Sequence, residues 1–255
     1  MEDLSMTSSH FHPPVKETLS YLEVWGSIPI SLFYHIYYTS SFLRSIPLMP
    51  KKEIGQQAFI RFFHAFPSSD SFSLWLDEKP LATDLLYEDF TKYFSLSPGS
   101  HTLELRETTT QALLATKKLS LFNQKLYTLL LGAASWKLPV PVCYFLEDIR
   151  RPIPDGHLLL RLGHFSPSLH VIEVSLQEEK TLFHHVNYGE LTSYIAFPPG
   201  EYALSLKNAL THEIVFEKKH LKLKPYRSYS LYALGNGSLA YPHFTLLPLD
   251  GPSYL

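Results

Sequence analysis

The sequence predicts an all-β protein: two tandem immunoglobulin-like antiparallel β-sandwiches behind a short N-terminal extension, part of which has helical spacing. Three observations carry this. The stretch from Phe59 to about Ala133 is written a second time between Leu158 and Gly235. Within each copy apolar residues alternate at period two, as in Leu74-Trp75-Leu76, Leu103-Glu104-Leu105 and Leu221-Lys222-Leu223, which is the spacing of strands with one face inward. Turn-forming groups, among them Pro67 to Asp70, Asp77 to Pro80, Ser97 to Ser100 and Pro198 to Gly200, separate those runs every 8 to 12 residues, as a seven-stranded sandwich requires.

Residues 1–57 stand outside the repeat. A polar leader runs to Pro14, and an aromatic segment spans Ile28 to Met49. Leu32, Phe33, Ile36, Tyr37 and Phe42 fall near helical spacing, and Tyr34 and Tyr38 widen the apolar face of such a helix. A membrane span needs about 20 predominantly apolar residues, whereas Pro29 and Pro47 bracket a window diluted by His35, Thr39, Ser40, Ser41, Arg44 and Ser45. The segment is therefore expected to pack against the first repeat or to dock on a partner, with Phe33, Tyr34, Ile36, Tyr37, Tyr38 and Phe42 as the candidate partner-contact residues.

The first repeat occupies 58–134 and the second, with a C-terminal tail, 157–255. Arg61, His64 and Pro67 return as Arg161, His164 and Pro167; Tyr87, Thr91, Tyr93 and Pro98-Gly99 return as Tyr188, Thr192, Tyr194 and Pro199-Gly200; Tyr127 returns as Tyr229. Between them, 135–156 holds Pro139, Pro141, Pro152 and Pro154 and is expected to be a stiff extended linker, with room for an edge strand at Val142 to Leu146.

The block His64-Ala65-Phe66-Pro67-Ser68-Ser69-Asp70, the strand Leu74-Trp75-Leu76-Asp77, the Tyr87, Thr91, Tyr93 block, the Pro98-Gly99 turn and Tyr127-Thr128 follow one another in an order that resembles a bacterial family of tandem sandwich domains of unknown function, whose repeats open with a His-Ala-Ser-Pro-Asp-Ala-Pro type motif. The second copy keeps His164, Pro167, Tyr188, Thr192, Tyr194, Pro199-Gly200 and Tyr229, but has Leu169-His170 where that family carries an acidic residue. The resemblance implies an exported or surface-associated protein and brings no catalytic activity with it. Met1 to His10 lacks the positive and apolar regions of a secretory signal, so the expectation is synthesis in the cytoplasm and deposition on a cell or spore surface layer.

Composition narrows the function classes. Twenty-two basic residues against 24 acidic ones, with no basic stripe, argue against nucleic acid as a partner. Cys143 is the single cysteine, in an apolar run that would raise its pKa rather than activate it. The 13 histidines include no HExxH and no compact pair with a carboxylate, so neither a metal nor a cofactor is expected; His64 and His164 are expected to be structural, each capping the end of an opening strand. No Gly-x-Ser-x-Gly and no phosphate-binding glycine loop occurs. Sixteen tyrosines and 17 phenylalanines exceed the needs of a core, and aromatics favour contact surfaces. The sequence thus points to a non-enzymatic structural or adhesive protein acting through protein partners or self-assembly. The alternative is a module that binds a ligand, such as a glycan, through aromatics in sandwich loops.

Overall fold

The computed structural model describes residues 56–253 except 136, 139 and 178–180. The N-terminal aromatic segment, including Phe33, Tyr34, Ile36, Tyr37, Tyr38 and Phe42, lies outside the described residues, and so does its expected helix. The first sandwich is built from β1 (Ala58–His64), β2 (Phe72–Leu76), β3 (Lys79–Leu85), β4 (Phe94–Leu96), β5 (Gly99–Glu107), β6 (Leu113–Leu121), β7 (Leu126–Ala133) and β8 (Pro141–Glu147). The second repeats it with β9 (Leu158–His164), β10 (Val171–Leu176), β11 (Thr181–Asn187), β12 (Ile195–Phe197), β13 (Gly200–Asn208), β14 (Ile214–Leu223), β15 (Ser228–Leu234) and β16 (Phe244–Leu246). A 3₁₀ turn follows at Gly251–Ser253.

Strand order is the same in both copies. Sheets β4-β1-β7-β8 and β3-β2-β5-β6 form the first sandwich, and β12-β9-β15-β16 and β11-β10-β13-β14 the second. The expected antiparallel pairing holds with one exception per copy: β1 runs parallel to β7, with Phe59 opposite Leu126, and β9 runs parallel to β15. A parallel pair needs a long crossover, which β2, β3, β5 and β6 provide in the other sheet, with β4 returning to pair with β1 on the way. Within the stretch expected to be a linker, Pro141–Glu147 forms β8, the edge strand beside β7; Pro141 opens that strand, a position where a missing N–H costs no ladder bond.

Each sandwich has its own core. Ile60, Phe62, Leu74, Leu103, Leu105, Leu129 and Leu131 fill the first, and Leu160, Leu162, Ile172, Val174, Leu204, Leu206 and Leu231 the second. Burying one such side chain stabilises by roughly 1.5–3 kcal/mol. Period-two alternation should leave the opposite face of β1, β7, β9 and β15 in water. Instead every residue of β7, β9 and β15 is buried, as is all of β1 except the half-buried Phe59. The outward faces of these strands meet in a third apolar cluster, made by Phe63, Ala65 and Leu130 of one sandwich with Phe165, Tyr232 and Leu234 of the other.

The β2–β3 hairpin turns on Asp77 (φ 47°) and Glu78 (φ 65°), both left-handed, as a type I′ turn requires. Glu78 is exposed and its Cβ is disfavoured there. Glu78→Gly is expected to raise stability by about 1 kcal/mol, seen as a higher urea midpoint; a lower midpoint would show that the side chain contributes more than its strain.

Candidate functional site

The face between the sandwiches carries the densest set of buried polar side chains among the described residues. Strand alternation brings them there: Ile60 and Phe62 point into the first core, so Arg61 and Phe63 point out of it, and Arg161 does the same on β9. Arg61 is 3% exposed and Arg161 2%, so each guanidinium must find partners or destabilise the fold.

The partners are reciprocal. Arg61 donates through Nη2 to Asp250 Oδ1 at 2.7 Å and through Nη1 to the Leu249 carbonyl at 2.7 Å, both in the tail of the second repeat, and through Nε to Thr128 Oγ1 at 2.8 Å on its own β7. Arg161 repeats each bond in the other direction. Its Nη2 donates to Asp148, its Nη1 to the Glu147 carbonyl at 3.0 Å at the end of the first repeat, and its Nε to Ser230 Oγ at 2.6 Å on β15. Each carboxylate is then completed from its own repeat: Asp148 accepts from Thr128 and Tyr93, and Asp250 from Ser230 at 2.8 Å and Tyr194 at 2.6 Å. Longer contacts of 3.9 Å between Arg61 and Asp148 and 3.7 Å between Arg161 and Asp250 close a ring of two cations and two anions.

The electrostatics fit this closure. Burial opposes charge on Arg61 and Arg161, but Asp148 and Asp250 outweigh it and hold both guanidiniums above their ordinary pKa. Burial and then Asp148 raise the Asp250 carboxyl, which the two arginines pull back down. Burial and the adjacent aspartates push Tyr93 and Tyr194 up, so both hydroxyls remain donors. The guanidinium of Arg61 also lies over the rings of Tyr93 at 5.0 Å and Phe90 at 5.3 Å, and that of Arg161 over Tyr194 at 4.5 Å, geometry that favours a cation.

Two further tyrosines cross the same face. Tyr87 accepts from the Gly235 N–H at 2.9 Å, and Tyr188 bonds both the N–H (3.1 Å) and carbonyl (3.0 Å) of Ala133. Where the copies differ, they compensate. Phe63 stacks on Phe90 with centroids 3.8 Å apart, while the equivalent Gly163 leaves room for Tyr232, whose ring carbon would lie 2.7 Å from a Cβ there; Tyr232 in turn packs 5.0 Å from Phe63.

The other candidates disperse. His64 and His164 end β1 and β9 in equivalent places, fully buried, 6.1 Å from Tyr87 and 5.6 Å from Tyr188 respectively. His164 Nε2 meets the Leu169 carbonyl at 3.1 Å. Burial lowers the pKa of His64 to about 4 and that of His164 to about 3, so both are neutral. Ser166 pairs with His243 Nδ1 at 3.0 Å, but its hydroxyl is fully buried and donates to the Gly235 carbonyl at 2.6 Å, which leaves no exposed nucleophile. Burial pushes the Cys143 thiol up to about 12. Among the described residues no three His, Cys, Asp or Glu side chains come together as a metal set, and no helix is long and apolar enough to cross a membrane.

The domain of unknown function DUF4397 matches residues 58–175 and again 160–253. No curated protein matches the chain in sequence. Among solved structures, the chain is similar to the crystal structure of CBMbc (family CBM26) from Eubacterium rectale Amy13K in complex with maltoheptaose, at 9% identity and a TM-score of 0.28 over 77% of this chain and 98% of that one.

Proposed function

We propose that this chain, which belongs to the DUF4397 family, is a non-enzymatic structural protein that acts through protein–protein assembly, with its two sandwiches fused into one block. One observation carries the proposal: of the polar residues present in both copies, Arg61/Arg161 and Tyr87/Tyr188 bond directly to the other copy, and Tyr93/Tyr194 complete the carboxylates that hold those arginines. A duplicated catalytic or ligand site would instead keep such residues at a solvent-facing cleft. The aromatic sequence around Phe33 to Phe42 is the proposed attachment element, because a contiguous apolar patch seldom stays in water. A bacterial cell or spore surface layer is the proposed location, supported by the sequence resemblance alone.

The test is sedimentation and pull-down from the source cells with the intact chain and with a chain lacking residues 1–57. The intact chain is expected to self-associate or recover a partner, and the shortened chain to keep its melting temperature and lose that association. If the shortened chain unfolds, those residues are part of the first core. If it associates as before, they are not the attachment element.

A further inference from the structure

The first sandwich has an opening that the second fills from its own chain. Where its two sheets part, between β6 and β8, Leu103, Leu105, Ala115, Lys117, Val142 and Cys143 line an open slot of about 200 Å³. Its floor is the core itself, since Leu103 and Leu105 are 1% and 0% exposed. A cavity of roughly 150 Å³ with aliphatic walls is enough to take up benzene, so this space suits one phenyl-sized group.

The internal repeat gives an independent measure of what belongs there. Leu105 stands opposite Ala115 in the β5–β6 register, and at the same station of the second sandwich Leu206 stands opposite Phe216. Phe216 packs on the second core. At this station one copy carries a phenyl ring and the other a methyl group with space above it.

Charge then narrows the occupant. Lys117 lies two residues beyond Ala115 on β6, hence on the same face of the strand, and reaches across the mouth to the Cys143 carbonyl at 3.4 Å, a long contact for a hydrogen bond. Among the described residues Lys117 makes no ion pair with a carboxylate. An ammonium with donors to spare at the rim of an apolar slot favours an anion and disfavours a cation of the same shape. We propose that this slot binds a small carboxylate bearing one phenyl-sized apolar group, with the ring against Leu103, Leu105 and Ala115 and the carboxylate on Lys117. The proposal stands apart from the assembly function and does not depend on it.

The experiment is titration calorimetry on the full chain with 3-phenylpropionate as probe, and with 3-phenylpropylamine and propionate as controls. Saturable binding of 3-phenylpropionate is expected, with both controls weaker by about tenfold or more, the loss that follows from removing one charge-assisted bond or the ring. Ala115→Phe, which copies the second sandwich, is expected to abolish binding at an unchanged or higher melting temperature. Lys117→Glu, at an exposed position, should weaken the carboxylate by at least about tenfold and so keeps the test decisive if Ala115→Phe does not fold. No saturable heat, equal binding of the amine, or undiminished binding to Lys117→Glu or to folded Ala115→Phe would each overturn the proposal.

Discussion

Arg61→Ala is expected to destabilise the protein by about 3–5 kcal/mol, the range found when one member of a buried ion pair is removed. The side chain has three hydrogen-bonded acceptors, the Leu249 carbonyl, Asp250 and Thr128, and all would lose a donor, Asp250 and Thr128 at fully buried positions. Asp250 would keep Ser230 and Tyr194 but lose its nearest cation. Against a total of roughly 5–15 kcal/mol for a domain, that is a large fraction, visible as a shift of the urea midpoint. Replacing the four charged residues together by apolar ones of similar volume is expected to cost far less, since the ring is desolvated at great expense and returns little beyond that expense. A loss below about 1 kcal/mol for Arg61→Ala would mean that water enters the face and screens the charges.

Acid is expected to weaken the fold in a defined window. His64 and His164 are buried neutral, with folded pKa values lowered by burial from the ordinary 6.5 to about 4 and about 3. Above pH 6.5 neither state binds the proton and the histidines contribute no pH dependence. As pH falls below 6.5 the unfolded chain takes up two protons that the folded chain refuses, so stability drops until the folded pKa values are reached and then levels off. At about 1.4 kcal/mol per pKa unit, the combined loss between pH 6.5 and 4 is several kcal/mol. Asp89 is the acidic group that partly counters this at His64, while His170 and His243 add to the effect at His164. Denaturation midpoints across that window check it: the wild type should fall steeply and the His64→Asn, His164→Asn double variant should be markedly flatter.

Most of the strand plan was legible because alternation and turn chemistry are local signals. Leu103-Glu104-Leu105 shows its inward face directly, and Pro98-Gly99 shows where the chain reverses. Direction was not legible: nothing in Phe59 to His64 says that its neighbour on β7 runs parallel, because alternation looks the same either way. The polar face was half visible. Arg61, Tyr87 and Tyr93 stood in register with Arg161, Tyr188 and Tyr194, yet a polar residue repeated in two copies looks the same whether it meets water or the other copy. Asp148 and Asp250 were missed because they fall in the proline-bearing connection and the tail, beyond the aligned blocks. A signal did exist, since Asp148 follows Thr128 by 20 residues and Asp250 follows Ser230 by 20. Part of the aromatic surplus serves the face between the sandwiches, where Phe63, Phe90, Phe165, Tyr188 and Tyr232 gather.

The duplicated charges pair across the copies rather than within them. Double-mutant cycles in urea test this pairing most directly, comparing Arg61→Met with Asp250→Leu across the face and Arg61→Met with Asp148→Leu inside the first repeat. With Arg61 2.7 Å from Asp250 and 3.9 Å from Asp148, a coupling of about 2–3 kcal/mol is expected for the first pair, near the upper end of the range for side chains in contact, and a clearly smaller one for the second. A larger coupling within the repeat, or none across the face, would contradict pairing across the copies.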